Sequence, residues 1–110
     1  MNFIARDVIL QAVRAIAPML DIIRTKDKDL HEQIRSALSS AALNLDEGTA
    51  QRHGQQRARY QTAAGSAREV RMGLELAVAF RYVRPEDVAA ADALLDRFGA
   101  LTWRLQHPKQ

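Results

Sequence analysis

Apolar residues recur along this chain at steps of three and four in four long stretches, and nowhere do they alternate singly with polar ones. The first spacing puts side chains on one face of an α-helix, whereas the second would mark a strand. In the first stretch Ile9, Val13, Ile16, Leu20 and Ile23 make a core stripe, with Val8, Ala12, Ala15, Met19 and Ile22 beside it. The resulting arc is wider than one bundle partner covers, which suits either a deeply buried helix or one that also faces another subunit. Pro18 lies inside the pattern. It lacks an N–H and crowds the preceding turn, so a kink or a local break is expected there, and the apolar Ile22 and Ile23 beyond it favour the kink.

A polar run from Thr25 to Asp29 follows, and Asp29 with Glu32 three positions on has the form of a capping box that opens a second helix. Leu30, Ile34, Ala37, Ala41 and Asn44 then follow a 4-3-4-3 seam. Small residues from Ser36 to Ala42 would let an opposing backbone come close, and Gly48 suits a left-handed C-cap. After a polar loop, Thr49 to Gln56, a third helix carries two seams. Tyr60, Ala63, Ala67, Val70, Leu74 and Ala77 form one, and Ala58, Gly65, Met72, Gly73, Leu76 and Phe80 form another. Between them runs a water-facing stripe of Arg57, Gln61, Arg68, Arg71 and Glu75. The segment Arg84-Pro85-Glu86-Asp87 opens a fourth helix, with Pro in the first turn and carboxylates against the positive end of the helix dipole. Its seam is Val88, Ala91, Leu95, Phe98, Thr102 and Leu105, and Trp103 reads as a packing or interface aromatic rather than a ligand platform. The pattern predicts an all-α fold: a single domain, 1–110, with helices over about 3–24, 30–47, 57–82 and 86–106, arranged as an antiparallel up-down-up-down four-helix bundle.

Composition narrows the classes. A chain of 110 residues is long enough for one core without staples, and the absence of cysteine removes disulfides, thiolate metal sites and a Cys nucleophile. No apolar run approaches the roughly 20 residues of a membrane span, and charges interrupt the opening segment where a secretory signal needs an apolar run. A soluble, cytoplasmic protein without membrane contact is expected. The net charge of +3 is unevenly placed, since residues 51–84 hold seven arginines against Glu69 and Glu75. That segment favours an acidic or polyanionic partner.

Candidate chemistry is sparse. A di-iron bundle needs Glu-x-x-His on two helices, which the chain lacks, and His31, His53 and His107 are not spaced to share a metal. There is no Gly-x-Ser-x-Gly elbow and no phosphate-cradling glycine loop. The expectation is no enzyme, no metal and no cofactor. Glu69 shares its side of the third helix with Gly65, Gly73, Leu76 and Phe80. A carboxylate there needs a partner, so it is read as a latch onto the loop after Gly48, or onto an arginine of another helix or subunit, in preference to an acid–base group. Asn44 and Glu47 are assigned to the same network. Arg57, Arg68 and Arg71, with Arg52 and Arg59 nearby, are candidates to bind phosphate. The plainer alternative is a hydrated face with Arg68 or Arg71 paired to Glu75.

Two segments carry a resemblance. Asn44-Leu45-Asp46-Glu47-Gly48 closes the second helix and Gly65-Ser66-Ala67-Arg68-Glu69 lies in the third, preceded by Gln33-Ile34-Arg35-Ser36-Ala37. Over nearly its whole length the chain resembles the four-helix-bundle proteins encoded by intervening sequences of bacterial large-subunit (23S) ribosomal RNA genes, a family related to the accessory variability determinant of diversity-generating retroelements. The family pattern has Ala where Asp46 stands. The resemblance implies a homo-oligomeric ring, typically a pentamer, with Asn44, Glu47, Gly48, Gly65, Ser66 and Glu69 as its structural motif. It also implies RNA or DNA as a ligand and, in the retroelement branch, a reverse transcriptase as a partner. The functional expectation is a non-enzymatic nucleic-acid-binding oligomer using Arg52, Arg57, Arg59, Arg68 and Arg71; the alternative is a protein-binding scaffold without nucleic-acid contact.

Overall fold

One residue, Asp27, separates the first two helices, and its carboxylate faces both ways. Its Oδ1 accepts the backbone N–H of Leu30 at 2.9 Å, which caps the second helix, while its Oδ2 accepts the Tyr82 hydroxyl at 3.0 Å. The N-cap is therefore Asp27 and not Asp29, which instead sits in the first turn with its charge toward the dipole. Tyr82, far along the sequence, holds the second oxygen of the capping aspartate. The Lys26 ammonium adds a bond to the Tyr82 carbonyl at 3.3 Å.

The computed structural model describes residues 3–108 as four helices: α1 (Phe3–Lys26), α2 (Lys28–Thr49), α3 (His53–Ala79) and α4 (Pro85–Gln106). No strand occurs among them. Each helix packs on two others in the cycle α1, α2, α3, α4 and back to α1, in a body of 46 × 22 × 19 Å. α1 continues through Pro18 as one helix. α3 starts at His53, ahead of the expected Arg57, because His53 takes the left-handed conformation (φ 56°) and turns the chain there. It ends before Arg81, the other left-handed residue (φ 66°), and not at Tyr82. α4 opens as expected with Pro85 in its first turn, Glu86 and Asp87 behind it, and Asp87 capping the Arg84 backbone N–H at 2.9 Å.

The core forms where the seams overlap. Ile9, Ile16, Ile23, Leu30, Ile34, Ala37, Ala41, Tyr60, Ala63, Ala67, Val70, Leu74, Ala77, Ala91, Leu95, Phe98 and Thr102 are all buried. Each large apolar side chain fully withdrawn from water contributes about 1.5–3 kcal/mol. Val8, Ala12 and Met19 also join this core, so much of the broad arc on α1 is used within the chain, while Ile22 remains exposed. The second seam of α3 divides. Gly73 is buried against Ile34, but Ala58, Met72, Leu76 and Phe80 face water.

Gly48 is not the left-handed cap its position suggested: no described glycine has positive φ, and α2 runs past it to Thr49. Its value is its size. A Cβ built there would lie 2.6 Å from Cε1 of the Tyr60 ring, and one at Gly73 would lie 2.6 Å from Cγ1 of Ile34. Both glycines let α2 and α3 approach more closely than side chains would allow.

Candidate functional site

The two motif segments meet across α2 and α3 in a polar ladder. The Ser40 and Ser66 hydroxyls are 2.7 Å apart, and the Asn44 amide donates to the Ser40 carbonyl at 2.9 Å and to its hydroxyl at 3.1 Å. The Asn44 carbonyl oxygen accepts Arg59 at 3.0 Å, and Arg59 pairs with Glu47 at 3.2 Å. Asn44, Glu47 and Ser66 therefore belong to one network. Ser40 and Arg59 complete it, and sequence spacing did not indicate either as a network member. Below the ladder the Gln56 amide donates to the Gly48 carbonyl at 3.0 Å and closes the turn. Asp46 is exposed, so the turn buries no charge there.

Glu69 does not serve the Gly48 turn. It is nine residues beyond Tyr60, about 180° around the helix at 100° per residue, and so lies on the opposite side of α3. Glu69 is exposed, with no ion pair among the described residues. Gln56 and Tyr60 occupy the position the latch would need. Gly65, half-buried on the same outer side, has no atom other than an Arg68 nitrogen (4.0 Å) near the place of a Cβ.

The five candidate arginines separate into two groups. Arg71 crosses to α4, holding Asp92 at 2.9 Å and Asp96 at 3.2 Å, and not Glu75 of its own helix. The hydrogen bond to Asp92 is the largest cause of its raised pKa. Arg59 is held by Glu47 and Asn44. Arg52, Arg57 and Arg68 are exposed and unpaired among the described residues, as are Arg97 and Arg104 of α4, which charge counting by segment had hidden behind the acidic start of that helix.

Charge along the α3–α4 pair is accordingly polarised. Near the connecting loop, Arg71, Glu75, Pro85, Val88 and Asp92 line a shallow groove that holds both signs. Over residues 52–68 and 97–108 there are six arginines, Arg52, Arg57, Arg59, Arg68, Arg97 and Arg104, and no carboxylate. Apart from Arg59, which Glu47 and Asn44 already hold, these guanidinium groups suit phosphate, since they are forked donors with no bound acceptor among the described residues. No group of three His, Cys, Asp or Glu residues that could hold a metal ion occurs among the described residues, and no described helix is long and apolar enough to cross a membrane.

Residues 7–103 match the family model of the 23S rRNA-intervening sequence protein. The chain belongs to that family. The matched span contains the whole polar ladder and Trp103 on α4. No curated protein and no solved structure matches the chain.

Proposed function

We propose that this protein is a non-enzymatic homo-oligomer that binds RNA or DNA through the carboxylate-free half of its α3–α4 pair. The observation that carries the reading is the set of unpaired arginines, Arg52, Arg57, Arg68, Arg97 and Arg104, on segments without an acid. Neutralising phosphates with such groups releases condensed counterions and drives binding. The reading includes an up-down-up-down path. Its support is that the partners on α3 rise as those on α2 fall, Ile34 with Gly73, Ser40 with Ser66 and Gly48 with Tyr60, while Asp27 and Tyr82 join the two connections at one end.

The oligomer reading rests on the outer side of α3. Ala58, Thr62, Gly65, Glu69, Met72, Leu76 and Ala79 follow alternating steps of four and three, the spacing of a helix–helix seam, and this seam faces away from the chain's own core. Met72 is 56% exposed and Leu76 38%. Closing a ring, for which a pentamer is the expectation, would cover the seam and repeat the arginines in every subunit, raising avidity without new contacts. The reading places the protein in the cytoplasm, where RNA and reverse transcriptases meet, and extends to kinship with the accessory variability determinant of retroelements. The same exposed seam favours a second reading, a scaffold for a protein partner such as a reverse transcriptase.

Salt titration separates these readings. RNA and DNA affinity should fall steeply with salt, and the triple replacement of Arg52, Arg57 and Arg68 by Ala should flatten the log–log slope by about 2–3, at roughly 0.7–0.9 per lost phosphate contact. Absence of binding at low salt would reject the nucleic-acid reading and leave the scaffold.

A further inference from the structure

We infer that Trp103 is a stacking platform for an unpaired base, so that the arginine-rich half of the α3–α4 pair takes single strands in preference to duplex; this rests on the nucleic-acid reading above. Trp103 is the chain's one tryptophan and is 59% exposed at the C-terminal end of α4. Its ring is not part of the core. Instead it stacks on His107, with centroids 4.1 Å apart and planes 24° apart, and the His107 Nδ1 lies 2.8 Å from the Trp103 carbonyl oxygen. One side of a large flat ring is thus braced by the residue that caps its own helix.

Its place on the helix brings it to the arginines. At about 100° per residue, Asp92, Asp96 and Trp103 lie within roughly 40° of one another on α4. Asp92 and Asp96 reach Arg71 on α3, so this row borders α3. Following the opposed path inferred above from Arg71 and its two aspartates, Trp103 falls about level with Thr62 of α3. Arg57 and Arg68 then lie to either side of it along the axis, separated by about 16 Å at 1.5 Å per residue. Between the Arg71–Asp96 pair and Trp103 the row carries Gly99, where a Cβ would meet nothing within 4 Å. The resulting strip is open, with cationic groups that suit a sugar–phosphate backbone and an aromatic face between them.

Every base has a π-face, but in a duplex those faces are stacked inside. A flat, exposed indole beside phosphate-binding arginines therefore discriminates for unpaired nucleotides. The other aromatic pair among the described residues, Phe80 on Tyr82, offers no such site, because the Tyr82 hydroxyl is bound to Asp27 and carboxylates at Asp27, Glu86 and Asp87 stand beside it.

The lone tryptophan makes the test direct. Oligo(U), oligo(dU), an abasic deoxyribose–phosphate chain and a blunt duplex, all of equal length, are titrated against the intact protein while indole fluorescence and binding are followed separately. The expected result is quenching by oligo(U) and oligo(dU) but not by the abasic chain or duplex. Trp103→Ala should weaken single-strand binding by about 5- to 150-fold while leaving duplex affinity unchanged, and Trp103→Phe should restore most of the loss. Single-strand binding without quenching, or an equal loss for duplex in Trp103→Ala, overturns the platform while nucleic-acid binding stands. No binding of any of the four probes removes both readings together.

Discussion

Three glycines in helices illustrate how different the demands on one residue type are. Gly48 and Gly73 are required by close neighbours, Tyr60 and Ile34, whereas Gly65 has none. Glycine in a helix interior costs about 1 kcal/mol relative to alanine, so the two kinds should respond oppositely. Gly48→Ala should destabilise by about 1–2 kcal/mol, overpacking against the buried Tyr60 ring exceeding the gain in helix propensity, and thermal unfolding checks it through a midpoint lowered by several degrees. Gly65→Ala should raise the midpoint of a dissociated chain. If the outer seam of α3 packs on another copy, the same change should also weaken assembly, as measured by sedimentation over a dilution series. An unchanged oligomer would count against Gly65 as a point of close approach.

Among the elements, α2 and α4 both depend on acids at their starts, one bound to a distant residue and one to a near neighbour. Tyr82→Phe removes the hydroxyl on Asp27 but leaves the Leu30 cap, whereas Asp27→Ala removes both. Asp27→Ala should therefore cost more than Tyr82→Phe, about 0.5–2 kcal/mol of the difference being the cap itself, as chemical denaturation of the two variants would show. At α4 the Arg84 backbone N–H, followed by its side chain, lowers the pKa of Asp87 below its ordinary 3.8. A lowered folded-state value means that the contribution is complete above the unfolded aspartate's pKa and is lost as pH falls through the folded one. Asp87→Asn should accordingly lower the neutral and alkaline plateau of a stability–pH profile by a constant amount and flatten its acid limb. The seams of these helices were readable because burial follows the 3.6-residue period directly, as in the six buried seam residues from Tyr60 to Ala77. The choice of Asp27 over Asp29, and the start of α3 at His53, were not readable: each turns on a partner or a backbone angle that local spacing does not encode.

For the molecule as a whole, the sequence located the basic region but not its usable part. Arg71 shares a stripe of α3 with Arg57 and Arg68, and Arg59 stands near them in sequence, yet α4 and α2 bring carboxylates to Arg71 and Arg59 alone among these four. Likewise Arg97 and Arg104 became relevant only when folding set the second half of α4 apart from its acidic first half. Replacing Arg71 with Gln should therefore disturb the α3–α4 contact more than nucleic-acid affinity, whereas Arg68→Gln should do the reverse; melting and filter-binding measurements on the two variants distinguish them. The glycine-mediated approach of α2 and α3, tied by Ser40, Asn44 and Ser66, also has a kinetic consequence. These helices are consecutive and joined by a short turn, so their contacts close small loops and should form early, with α1 and α4 docking onto them. In hydrogen exchange, amides around Ala41 and Ala67 should then be released only by global opening, while those at the start of α1 and the end of α4 exchange through smaller, local openings.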